Sequence, residues 1–148
     1  MDDHLELLLN GQQYKKFQEL LYKPIVHKYD INVLDIRILM FLYDHEDCDT
    51  AKDIVEKHFL TKSYVSKAID TLIEKEFLTR KHDYNDRRYI HLELLDKADS
   101  VIEDVKELRK EMFGFIFAGV SREEIEVVRE VAVKINSNMT EMLTSGRV

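Results

Sequence analysis

The 148-residue sequence contains one cysteine, one proline, four glycines and no tryptophan. A lone thiol, Cys48, excludes an intrachain disulfide and a multi-cysteine zinc site, and fits a reducing compartment. So little glycine and proline argues against a turn-rich sandwich and for long helices, because turns draw heavily on both. No apolar run approaches the ~20 residues that cross a bilayer. Leu7–Leu9 is too short for a signal-peptide core and has an acidic flank where a basic one is needed. The expected location is therefore cytoplasmic, without a membrane partner. Positive charge is scarce as well: 22 Lys and Arg against 29 Asp and Glu leave a net charge of −7. That excludes a uniformly basic nucleic-acid binder, although it leaves a local basic patch open.

The placement of charge sharpens this. Residues 1–60 carry a net −5, residues 61–91 a net +2 and residues 92–148 a net −4. Only the middle segment is positive, and the blocks on either side would repel phosphate if they faced it.

At this length and with 45% apolar residues, the chain is one domain with one sizeable core. From Tyr14 to about Tyr29, Phe17, Leu20, Leu21, Ile25 and Val26 recur at helical spacing, and Pro24 predicts a kink or break. Asn32 and Asp35 have the spacing of a capping box before an almost wholly apolar helix, Val33 to Tyr43. Thr50 and Asp53 repeat that pattern before a helix of about two turns. Thr61 is a cap candidate for a helix from Lys62 to Lys75, whose stripe Val65, Ile69, Leu72 and Ile73 is buried and whose opposite side carries Lys62, Ser63, Ser66, Lys67 and Asp70. LTRKH and RYIHLEL then read as strands around the turn residues Asp83 to Asp86. Two long helices follow. One is striped by Val101, Ile102, Val105, Leu108, Met112 and Ile116 and ends at Gly119. The other opens on a Ser121/Glu124 capping box and carries Ile125, Val128, Ala132, Ile135, Met139 and Met142. The last stripe exceeds what a small core covers, which points to intermolecular packing.

Helix, short helix, helix, hairpin is the order of a winged helix-turn-helix. Short hydroxyls and lysines on the exposed side of the third helix suit a major groove, and Arg87 and Arg88 at the hairpin tip suit a minor groove, with Asp86 as a brace. The plainer alternatives are a solvated helix face and a surface ion pair.

These residues carry a resemblance. From Ile31 to about Leu95, and more loosely throughout, the sequence resembles the MarR (multiple antibiotic resistance regulator) family of bacterial transcription factors. LTKSYVSK, from Leu60 to Lys67, stands where the family has its recognition helix, and DRR, from Asp86 to Arg88, stands where it has Asp-x-Arg in the wing. The resemblance implies that Thr61, Lys62, Ser63, Ser66, Lys67, Arg87 and Arg88 contact double-stranded DNA, with Asp86 bracing Arg88. It implies a mainly α (α+β) fold, with residues 31–95 as the DNA-binding lobe and residues 1–30 and 96–148 as helical dimerisation regions. It also implies a homodimeric repressor on a pseudo-palindromic operator, responsive to a small aromatic or phenolic effector. The sequence departs from the family in two places. Glu76 stands where glycine is usual, which predicts a remodelled helix end, and LLDKA, from Leu94 to Ala98, replaces L-T-x-x-G, which leaves the exact start of the next helix open.

Other chemistry is sparse. Carboxylates around Cys48 oppose thiolate formation. His4, His27, His45, His58, His82 and His91 have no H-x-x-x-H spacing, and His45 among Asp44, Glu46 and Asp47 reads as an exposed acidic loop before it reads as a metal site. No phosphate loop, nucleophile elbow or isolated carboxylate pair is present, so no enzyme, cofactor or metal is expected. Tyr14, Phe17, Tyr29, Phe41, Phe113, Phe115 and Phe117 are core or dimer packing before they are an effector pocket. The competing reading is a winged-helix module that docks a basic protein partner instead of DNA.

Overall fold

The computed structural model describes residues 12–58 and 60–146. His4, Leu7–Leu9, Phe59, Arg147 and Val148 lie outside the described residues. The elements are α1 (Gln12–Tyr29), α2 (Val33–Asp44), α3 (Ala51–His58), α4 (Lys62–Glu74), β1 (Leu78–His82), β2 (Ile90–Leu94), α5 (Asp96–Ile116) and α6 (Arg122–Thr144). The fold is mainly helical, a winged helix with a two-stranded antiparallel sheet. Its described residues fall into two compact units. One spans Leu21–Glu107, and the other combines residues up to Leu20 with those from Leu108 onward. No helix among the described residues is long and apolar enough to cross a membrane.

The local rules of the sequence act as expected at three of the six described helix starts. Asn32 accepts from the Asp35 N–H and Asp35 accepts from the Asn32 N–H, each at 2.9 Å, which opens α2. α2 is then buried almost all round, from Leu34 to Leu42. The same reciprocal bonds join Thr50 and Asp53 ahead of α3, and Ser121 and Glu124 ahead of α6. Asp35 is itself buried, and burial pushes its carboxyl above the ordinary value, against the Asn32 hydrogen bond and the Lys75 ammonium.

Three expectations change. Of the kink or break expected at Pro24, the break does not occur, and the first helix runs unbroken as α1. The proline removes only the donor to the Leu20 carbonyl, and Leu20 is 71% exposed, so water can supply the missing bond. That exposure also removes Leu20 from the buried face, which Tyr14, Tyr22 and Ile25 form instead. Thr61 occupies the N-cap position of α4 in extended conformation, yet its side chain makes no cap bond; its hydroxyl lies 3.4 Å from that of Ser63. Finally, β2 begins at Ile90, not Arg88. Carboxylates at the tip capture the backbone there. Asp83 accepts from the N–H groups of Asn85 and Asp86, and Asp86 accepts from that of Arg88, so the strands part earlier than residue propensity suggests.

The end of α4 keeps the geometry that glycine would favour. Glu76 has φ 62°, its N–H donates to the Ile73 carbonyl at 3.0 Å, and the Phe77 N–H donates to the Leu72 carbonyl at 2.9 Å. This is a Schellman end with buried Leu72 and Phe77 at its two apolar positions. The expected remodelling does not occur, because the paired bonds and the two buried side chains outweigh the strain at one residue. Glu76→Gly is expected to raise unfolding stability by up to about 1 kcal/mol, since the left-handed penalty exceeds the extra freedom glycine has when unfolded. Urea denaturation checks this, and an unchanged or lower midpoint would refute it. The start of α5 is also settled. The Leu95 N–H donates to the Phe77 carbonyl at 3.0 Å, and the helix begins at Asp96.

Candidate nucleic-acid interface

The candidate site lies wholly within the unit Leu21–Glu107. α4 buries Val65, Ala68, Ile69 and Leu72, which leaves the rest of its circumference to solvent. Thr61, Lys62, Ser63 and Lys67 are exposed and Ser66 is half-buried, as an amphipathic helix with that stripe requires. Thr61, Lys62 and Ser63 stand at its N-terminal turn, beside the positive end of the helix dipole, a setting that attracts phosphate. Asp70, further along, pairs with Arg80 of β1 at 2.5 Å and ties the helix to the wing.

Arg88 leaves the hairpin tip with its side chain 88% exposed, yet it is held. Its Nε donates to both Asp86 oxygens at 3.0 and 3.2 Å, its Nη2 to Oδ2 at 2.7 Å, and its backbone N–H to Oδ1 at 3.1 Å. A bidentate carboxylate of this kind fixes the plane of the guanidinium without covering it. Arg88 in turn holds the Asp86 carboxyl below the usual carboxylate range. Arg87 is exposed beside them, and its carbonyl lies 3.4 Å from the His82 ring.

Asp86 is itself positioned from below. Asp83 is held below the usual carboxylate range first by the Asp86 backbone bond, then by His91 and by the Asn85 backbone. His91 sits between two carboxylates, Nδ1 at 2.6 Å from Asp49 and Nε2 at 3.0 Å from Asp83. Asp49 belongs to the loop before α3, and its carbonyl accepts from the Leu92 N–H of β2 at 2.8 Å. No local spacing announces this cluster, because Asp49 and His91 are 42 residues apart. Two exposed aromatics were missed as well. Tyr64 lies on α4 off the Val65–Ile69–Leu72 stripe, which is the signal available for it, and Tyr84 is 100% exposed at the tip.

The remaining candidates sit elsewhere. The His45 ring stacks on Phe41 with centroids 4.7 Å apart, and Phe113 and Phe117 pack on each other at 4.4 Å. Cys48 is half-buried, and its N–H donates to the His45 carbonyl. A groove of about 550 Å³ within the winged unit is lined by Lys28, Tyr29, Asp99, Ser100, Glu103 and Asp104.

Comparison with known proteins follows the same outline. The sequence profile of the MarR family matches residues 29–88. The chain is 25% identical over 128 residues to the HTH-type transcriptional regulator MhqR of Bacillus subtilis (strain 168), covering 86% of this chain and 87% of that protein. Among solved structures, it is similar to a MarR transcriptional regulator from Methanosarcina mazei Go1, with a TM-score of 0.71 and 20% identity over 86% of this chain and 92% of that one. It is also similar to S. aureus MepR in complex with DNA, with a TM-score of 0.66 and 23% identity over 91% and 96% of the two chains.

Proposed function

We propose that the chain is a MarR-family DNA-binding transcriptional regulator, a repressor that holds a pseudo-palindromic operator as a homodimer, a reading supported by the family-profile match over residues 29–88. The observation that carries this reading is the braced, outward-facing Arg88 on the wing beside a helix with exposed Lys62, Ser63 and Lys67. Ser66 and Thr61 join the helix contacts, Arg87 adds a phosphate or groove contact at the tip, and Asp86 acts on DNA only through Arg88. No catalytic step enters the proposal.

Dimerisation is supported by α6. Val128, Ile135, Met139 and Met142 of the expected stripe are exposed in the single chain, joined by Val127, Val131 and Leu143. An apolar strip of that length on one helix is the kind of surface that a second copy covers. Two copies would then set two recognition helices about one DNA turn, ~34–36 Å, apart.

Responsiveness to an aromatic or phenolic effector belongs to the proposal as a population shift, which needs different affinities for two states of the dimer. The groove beside Lys28 and Tyr29 does not suit such an anion. Three carboxylates line it, and its one lysine is already paired with Asp104 at 2.7 Å.

A mobility-shift assay with the intergenic DNA upstream of the chain's own coding sequence, run beside sedimentation of the free protein, tests the reading. A dimer that shifts this DNA in preference to a scrambled duplex is the expected result. A protein that shifts neither duplex at low salt, and is recovered instead with a basic protein partner, would overturn it.

A further inference from the structure

We propose that His91 is a positioning residue for the wing: as an imidazolium it bridges Asp49 and Asp83, and so holds the turn that aims Arg88. The proposal rests on the wing reading given above for its consequence on DNA, and on geometry for the bridge itself.

The two contacts of the ring, 2.6 Å to Asp49 and 3.0 Å to Asp83, both end on carboxylate oxygens. Ionised carboxylates only accept hydrogen bonds, and a neutral imidazole has a single N–H to give. One contact is therefore satisfied by the neutral ring and both by the imidazolium. The bridge has ends that matter. On one side Asp49 belongs to the loop before α3, and its carbonyl accepts from the Leu92 N–H of β2. On the other, the second oxygen of Asp83 accepts from the Asn85 and Asp86 N–H groups, and Asp86 holds Arg88. One proton on His91 thus connects the loop before α3 to the guanidinium at the wing tip.

The groups facing His91 come from three places. The loop before α3 supplies Asp49, and the wing turn supplies Asp83. Across the ladder the register sets Lys81 opposite the ring, and Glu93 follows on the same face of β2. The two carboxylates in hydrogen-bond contact, Asp49 first and then Asp83, hold the imidazole above its ordinary value despite partial desolvation. A raised histidine contributes fully below its unfolded value of about 6.5 and loses that contribution as pH climbs through the folded value. The wing is therefore clamped at lower pH and released as pH rises through the raised folded value.

The experiment uses the full chain, a labelled duplex from the intergenic DNA upstream of its coding sequence, and fluorescence anisotropy between about pH 6 and about pH 9. Wild-type affinity is expected to fall about threefold or more across that range. His91→Gln, which bonds but does not titrate, should bind more weakly at low pH and lose this fall. His91→Arg, a permanent cation with several donors, should keep tight binding to the top of the range. In parallel, NMR of the free protein should show the Asn85 and Asp86 amides and the Arg88 Nε shifting with the His91 titration in wild type, but not in Asp83→Asn. Parallel anisotropy profiles for wild type and His91→Gln would overturn the proposal, as would wing signals indifferent to His91. Failure of wild type to bind any duplex would sink the DNA reading alone; the NMR arm then decides the bridge, upheld if the wing signals follow His91 and overturned if they do not.

Discussion

Replacing Arg88 with alanine is expected to lower affinity for the upstream duplex by about tenfold or more and to reduce the slope of log affinity against log salt by about 1. A narrow minor groove concentrates negative potential, and a guanidinium that enters it gains more than one resting on an exposed phosphate. Arg88 suits that role because its geometry is set before DNA arrives. Three side-chain contacts to Asp86 between 2.7 and 3.2 Å remove rotamer freedom that binding would otherwise have to remove. Arg87→Ala is the comparison. It should weaken binding less and equally across sequences, as loss of a phosphate contact does. Asp86 is held below the usual carboxylate range by Arg88, so the brace is present above about pH 3.9 and is lost only as pH falls through the lower folded value. That brace does not change across the His91 titration, but the turn that aims Arg88 does, so Arg88→Ala should cost more below the His91 titration than above it. Anisotropy titrations at three salt concentrations measure both quantities. Unchanged affinity at moderate salt would remove the wing from the interface.

Phe77→Ala is expected to destabilise the fold by about 3–5 kcal/mol, the range for deleting a fully buried phenyl ring. Phe77 is 0% exposed at the junction between α4 and β1. Its N–H completes the Schellman end of α4 on the Leu72 carbonyl, and its own carbonyl accepts from Leu95 as α5 begins. The Lys97 ammonium lies 4.6 Å from the ring centroid. Truncation leaves a cavity where α4, β1 and the start of α5 meet, so it should loosen the spacing of helix and wing as well as lower stability. Urea unfolding followed by circular dichroism measures the shift. A midpoint within error of wild type would show that neighbouring side chains refill the site, contrary to the packing described.

Much of the fold is local in origin, and those parts are readable from residues alone. Asn32 with Asp35, Thr50 with Asp53 and Ser121 with Glu124 are capping pairs three residues apart, and their hydrogen bonds form wherever a helix starts. The stripe Val65, Ile69 and Leu72 fixes which side of α4 is buried and hence which side offers lysine and serine. DRR places the brace two residues from the arginine, within reach of one side chain. Misreadings arise where a local rule meets a tertiary demand. Pro24 is tolerated because the carbonyl it orphans is at an exposed turn, Thr61 caps by position without a side-chain bond, and Glu76 takes a left-handed conformation that buried Leu72 and Phe77 impose on it.

Sequence by itself determined the helix order, the hairpin, the buried stripes, the basic middle segment in an acidic chain, and the Asp86–Arg88 pair. Each of these depends on residues within a turn or two of each other, where periodicity and hydrogen-bond reach leave few choices. Only the tertiary structure decided that Asp49 and His91 meet, that Asp70 ties α4 to Arg80, and that Lys75 reaches back to Asp30 at 2.8 Å. Those contacts are made by side chains whose neighbours in space are not neighbours in the chain, so no spacing rule could announce them. The scarcity of positive charge was settled in the same way: seven excess carboxylates belong to the chain as a whole, while folding determines which cations stand exposed and which carboxylates are spent holding them in place.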